Sequence, residues 1–328
     1  MTLIANEVIR SSLVWDNHAC MPLRPFDDSF LPQLQRLRDA GFGFVSLNIG
    51  FGEQGIEDHV RMIAHFRRWV KRHSDDYALV ETTADIDRAR AQGRLAVSFD
   101  IEGANAIADQ PSLVSLYYDL GVRWMLMAYN RNNRVGGGCH DEDPGLSPFG
   151  REVLDEMARV GMVACCTHTG PRTVMDVMAY SANPVIFSHS NARGLHDHPR
   201  NITDAAMKAC AATGGVVGLN GVGIFLGRND SSTDAFVRHV DYAVSLIGSR
   251  HVGLGFDYVF DTQELDDYHA SMANTFPPGF GYDSSVRMIP PEQLEDIVDR
   301  LIRMGYGEVA LKAILGGNFR RVAEQVWR

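Results

Sequence analysis

Met162-Val163-Ala164-Cys165-Cys166-Thr167-His168 is an apolar run that ends on a histidine, and Pro184-Val185-Ile186-Phe187-Ser188-His189 repeats the design. Each run is too short for a helix and nearly continuous in apolar residues. That pattern suits a parallel strand covered on both faces. Working outward in both directions, comparable β-rich runs occupy 13–18, 42–49, 95–101, 123–129, 215–220 and 251–257. With 162–168 and 184–189 they make eight candidate strands.

Helical periodicity fills several of the intervals. In 149–160 it places Val153, Leu154, Met157 and Val160 on one face, and Gly161 supplies a stop. In 234–247 it aligns Phe236, Val237, Val240, Val244 and Ile247 ahead of Gly248. The stretch 291–304 opens on Pro-Pro-Glu and stops at Gly305. Strands alternating with helices predict an α/β fold, a (β/α)8 TIM-type barrel spanning 1–328 as a single domain. Strand counting alone leaves an open, doubly wound sheet as the alternative.

The composition agrees with a globular chain. Of 328 residues, 45% are hydrophobic and 22% charged. Lys and Arg number 31 against 41 Asp and Glu, a net charge of -10, so the overall field opposes nucleic acid and anionic membranes. No apolar run is long enough to span a bilayer, and the first ten residues lack the apolar core of a signal peptide. A cytoplasmic address is the expectation. Five scattered cysteines fit reduced thiols. Nothing decides for or against a homo-oligomer.

The polar residues that close the strands carry the functional reading. His18, Glu102, His168, His189 and Asp257 each follow a β-rich run. In a parallel barrel all carboxyl ends share one rim, so these five converge there. Three imidazoles and two carboxylates in a cleft form a ligand set for Zn²⁺ or a similar ion. Glu102 is the candidate to bridge two metals, and the inferred chemistry is metal-assisted hydrolysis. Weaker signals are the 136–140 loop ending in His140, the acidic run Asp141-Glu142-Asp143, and His196 with His198 near Arg200.

Around these positions the sequence resembles the membrane dipeptidase (renal dipeptidase) family of binuclear zinc hydrolases, within the amidohydrolase-like barrels. The resemblance runs through Asp16-Asn17-His18, Asp100-Ile101-Glu102-Gly103, Gly145-Leu146-Ser147-Pro148-Phe149-Gly150 and Thr167-His168. It continues through Pro184 to Ser190, Pro199-Arg200-Asn201-Ile202, Val252 to Asp257 and Leu315-Gly316-Gly317-Asn318-Phe319. It implies that His18 binds a first metal, that Glu102 bridges, and that His168 and His189 bind a second. It implies that Asp257 shuttles a proton to the leaving amine and that Arg200 pairs with a substrate carboxylate. Two zinc ions per chain and a small substrate, a dipeptide or N-acyl amino acid, go with it.

Two positions depart from the family pattern. The usual His-x-Asp of the first strand is His18-Ala19-Cys20. Cys20 is either a thiolate ligand or an apolar filler, and in the second case only one metal is held tightly. After the fourth strand, Tyr129 stands where the family has a histidine near the substrate carbonyl. A phenol can donate one hydrogen bond there and touch substrate, but it does not become cationic. The alternatives are a single-metal hydrolase of another small amide or ester, and a catalytically silent ligand-binding barrel.

Overall fold

A computed structural model describes residues 3–283 and 285–328. Among the described residues there are nine strands: β1 (Trp15–Cys20), β2 (Phe44–Phe51), β3 (Tyr77–Leu79), β4 (Leu95–Glu102), β5 (Val122–Leu126), β6 (Val163–Cys165), β7 (Val217–Leu219), β8 (Val252–Leu254) and β9 (Tyr258–Val259). The main path runs β6-β5-β4-β2-β1-β8-β7, and its pairings are parallel. Its register places Trp15 beside Phe44, Phe44 beside Ala96, Asp100 beside Trp124, and Asp16 beside Leu254.

The 184–189 run closes the ring. It is not a regular strand, because it pairs only through the parallel bridges Cys165–Ile186 and Phe187–Val217. Yet its backbone bonds to both neighbours: Ile186 N donates to Ala164 O, and Gly218 N donates to Phe187 O. With that run as a stave, the two ends of the path join and the barrel expected from the sequence is complete. Two short strands lie off this ring. β3 shares an edge of β4 with β5, taking Leu95 to Val97 while β5 takes Phe99 to Ile101. β9 pairs with the end of β1.

The helices follow their sequence signals. Pro148–Val160 starts on Ser147, whose Oγ accepts from Gly150 N, and ends at Gly161 in the left-handed region with φ 93°. It buries Val153, Leu154, Met157 and Val160, the face the periodicity assigns to the core. Thr233–Ile247 is capped in the same way by Ser232 and buries Phe236, Val237 and Val240. None of the described helices is long and apolar enough to cross a membrane.

The amino ends of the staves are filled by rings. Trp15, Phe44, Trp124 and Phe319 are buried there with Ala96, Val163 and Val216. Trp15 stacks on Phe44 with centroids 3.6 Å apart. Phe319 comes from the last helix, Asn318–Val326, which covers this foot of the barrel. Gly316 makes that approach possible, since a Cβ on it would sit 2.2 Å from Leu13 O. The Leu315-to-Phe319 motif is therefore a packing requirement.

Candidate metal centre at the carboxyl rim

Every residue singled out for the site reaches the opposite end of the barrel. His18 and Cys20 end β1, and Glu102 ends β4. His168, His189 and Asp257 follow β6, the 184–189 stave and β8. The chain makes an unusual turn at two of these positions: His168 and Asp257 adopt φ 63° and 57°, and Asn130 adopts φ 56°. Left-handed backbone is costly for residues other than glycine, and it concentrates where side chains must be aimed. Here it turns side chains into the mouth just where regular strand hydrogen bonding stops.

The centre of the group is one oxygen. Glu102 Oε1 is buried and has no hydrogen-bond donor. It lies 3.2 Å from His189 Nε2, 3.3 Å from His168 Nε2 and 3.5 Å from His18 Nε2. The outer nitrogen of each ring is engaged elsewhere. His168 Nδ1 lies 2.6 Å from Asn130 Oδ1, His189 Nδ1 2.9 Å from Ser188 Oγ, and His18 Nδ1 3.2 Å from Asp100 Oδ1. The acceptor oxygens of Asp100 and Asn130 put a proton on Nδ1 of His18 and His168, whereas the Ser188 hydroxyl can donate or accept at His189. The Nε2 of each ring faces inward, as a metal-ligating imidazole requires.

Two ligand groups can be drawn among the described residues: His18, His189 and Asp257, and Glu102, His168 and His189. In each, the donor atoms lie within 4.8 Å of one another, and His189 belongs to both. An unpaired buried carboxylate oxygen surrounded by imidazole nitrogens fits a divalent cation, because polar atoms so placed are otherwise left uncompensated. Cys20 Sγ belongs to neither group but lies beside the first, 3.3 Å from His18 Nε2 and 3.7 Å from Asp257 Oδ1.

Electrostatics distinguishes the rings. Burial, then the nearby Arg200 and His18 charges, holds His168 well below the ordinary histidine range. Burial and His18 do the same to His189. Both are neutral, the form that binds metal. Burial also opposes charge on His18, but Cys20, Glu102 and Asp100 outweigh it and raise its pKa. Burial, reinforced by Asp257 and Asp100, pushes Glu102 up to about 8 against the pull of His18. Asp257 is held low because His189 and His18 overcome its burial, and Asn220 Nδ2 donates to its Oδ2 at 2.9 Å.

The cluster opens into a pocket. Tyr129 stacks on His168 with centroids 4.0 Å apart, and burial raises its phenol well above the usual range, so it stays protonated. Arg200 also lines the pocket. It is 2% exposed, and its Nε, Nη1 and Nη2 all lack hydrogen-bond partners. Its guanidinium lies over the Phe225 ring at 5.0 Å. The rest of the wall is largely apolar, including Phe51, Val222, Tyr268 and Phe276.

The weaker signals resolve into architecture. Asp143 accepts from Thr173 N and Oγ1 and so caps the start of Pro171–Tyr180. Asp141 pairs with Arg131 at 2.9 Å. His140 Nε2 meets Tyr282 OH at 2.9 Å, and His198 Nε2 bonds to Phe280 O at 3.0 Å. Cys165 and Cys166 are both buried. The sequence motifs include Asp100 and Ser188 but give no orienting role to them or to Asn130 and Asn220. Asp100 had a signal, since it lies two residues before Glu102 and shares its strand face. Asn130 and Ser188 had none, because their value comes from contacts across the fold.

Comparison with known proteins gives the lineage. Dipeptidase 3 of Rattus norvegicus is 27% identical over 309 residues, 89% of this chain and 58% of its own length. The chain spans about half the length of several other curated relatives. A crystal structure of an amidohydrolase from Pseudomonas aeruginosa superposes with a TM-score of 0.90 at 28% identity, covering 99% of both chains. A metallopeptidase from Rhodobacter sphaeroides, liganded with a phosphinate mimic of the dipeptide L-Ala-D-Ala, shares the fold at 20% identity, with a TM-score of 0.77 over 96% of this chain and 99% of its own. The family model described as Membrane dipeptidase (Peptidase family M19) matches residues 29–272, and the chain belongs to that family.

Proposed function

We propose that the chain, read as one domain, is a metal-dependent hydrolase that cleaves the amide bond of a small carboxylated substrate, a dipeptide or an N-acyl amino acid. The observation that carries this reading is the meeting of three imidazole Nε2 atoms on the unpaired Glu102 Oε1. Glu102, His168 and His189 would hold one cation, zinc in this reading. His18 and Cys20 would hold a second beside Glu102. Once bound, the metal supplies Lewis acidity that ionises water near neutral pH and polarises the amide carbonyl.

The chain's own groups do the rest. Arg200 takes the substrate carboxylate, for which its buried fork is free to make two parallel hydrogen bonds. Tyr129 keeps its proton and offers it as a hydrogen bond to the carbonyl oxygen as charge builds there. Asp257 is held ionised, so it can accept the attacking water's proton and return it to the leaving nitrogen. Asn220 keeps that carboxylate in place. The apolar wall excludes water from the bond being cut.

The phosphinate dipeptide mimic held by the Rhodobacter metallopeptidase supports the dipeptide class. A single-metal enzyme is the second reading, favoured by the thiol at Cys20 where the family pattern has a carboxylate. Metal analysis of purified protein, paired with a hydrolysis screen of dipeptides and N-acyl amino acids, tests both. Two zinc ions per chain with amide cleavage is the expected result. One ion with cleavage selects the second reading, and loaded protein that leaves the whole panel intact selects the silent binding barrel.

A further inference from the structure

The side chain of Asn130 is used at both ends. Its Oδ1 accepts from His168 Nδ1 at 2.6 Å and from Cys139 Sγ at 3.4 Å. Its Nδ2 donates to Thr275 O at 3.0 Å. Asn130 is fully buried and Thr275 is buried too. Only one orientation of the amide satisfies both partners. Turning it over would set NH₂ against an imidazole N–H and carbonyl against carbonyl.

Thr275 belongs to the stretch that covers the pocket. Helix Thr262–Ser271 contributes Leu265 and Tyr268 to the wall, and Phe276 and Tyr282 follow. The helix itself has no buried residue. Glu264 ties it to the chain just after β1 by accepting from Leu23 N at 2.9 Å, and the stretch after the helix supplies further anchors. Thr275 N and Phe276 N both donate to Met272 O. A second path joins the same two regions, since Phe276 meets the Tyr129 ring edge-on at 6.3 Å and Tyr129 stacks on His168.

We propose that Asn130 is a positioning residue that ties this cover to His168, so that orienting the imidazole for metal and seating the cover are one event. The proposal rests on the metal-centre reading above. A cation on His168 Nε2 fixes the ring, the ring fixes the Asn130 amide, and the amide holds Thr275 O. By linkage, seating the cover raises metal affinity as much as metal seats the cover.

Two variants separate the ends of the amide. Asn130→Gly removes both bonds, and glycine accepts φ 56° without strain. Asn130→Asp keeps an acceptor for His168 but faces Thr275 O with another oxygen. The probe is Zn²⁺ titrated against a chromophoric chelator, with hydrogen exchange of the 272–276 amides read with and without zinc. In the wild-type chain zinc should slow that exchange. Asn130→Gly should weaken zinc binding by ~10-fold to ~100-fold, the usual cost of losing a ligand's orienting partner, and should abolish the slowing. Asn130→Asp should bind zinc at least as tightly as wild type yet also lose the slowing. Wild-type zinc affinity in Asn130→Gly, or retained slowing in Asn130→Asp, overturns the proposal. A wild-type chain that takes up no zinc overturns the metal-centre reading instead, and the proposal with it.

Discussion

The two ends of the barrel are equally buried and built on opposite terms. At the foot, Trp15 stacks on Phe44 and on Phe319 of the last helix, and Trp124 belongs to the same buried cluster. At the rim, His18, Glu102, His168 and His189 are just as sealed from solvent, but they meet donor to donor. The foot gains stability mainly from apolar contact, although Trp124 Nε1 is buried there without a hydrogen-bond partner. The rim bears uncompensated polar atoms and two left-handed residues, His168 and Asp257, that cost stability. A site that is costly to fold and ready to bind is what a stable opposite end allows.

The sharpest way to break this contrast is at His189, the residue shared by both ligand groups. His189→Ala should lower metal content and remove turnover, while the fold survives because the foot is untouched. Metal analysis and circular dichroism check the two halves of that statement. Unchanged metal content would remove His189 from the ligand set. The mirror experiment is Phe319→Ala. It opens a cavity against Trp15 and should cost about 3–5 kcal/mol in chemical denaturation, with zinc stoichiometry in the surviving folded protein unchanged. A loss of metal as well would mean that the two ends are not independent.

The same division explains what the sequence could reveal. Foot and staves were legible because packing is periodic: apolar runs marked β2 and β4, and the faces of 149–160 and 234–247 were read correctly. The candidate ligands were legible because each follows an apolar run, so topology alone gathers them. β3 was missed because three residues, Tyr77 to Leu79, carry too little pattern. The 184–189 stave was read as a regular strand, yet it pairs through single bridges. Chain order also hid the orienting partners. Asn130 aims His168 from 38 positions away, and nothing local to either residue records it.

Arg200 sharpens the comparison most finely, because it belongs to the rim by position and resembles the foot in its surroundings. Its guanidinium has no hydrogen-bond partner, and its neighbour is the Phe225 ring. If the guanidinium is kept for a substrate carboxylate, replacing it by an apolar side chain of similar length should help folding and harm binding together. Arg200→Met should raise stability by about 1–3 kcal/mol, since a buried uncompensated charge is removed. It should raise KM for substrates with a free carboxylate and alter kcat less, because the lost contact is made in ground and transition states alike. Denaturation and steady-state kinetics on one preparation read both effects. A variant that is destabilised with unchanged KM would show that Arg200 serves packing, and the carboxylate would then need another partner in the pocket.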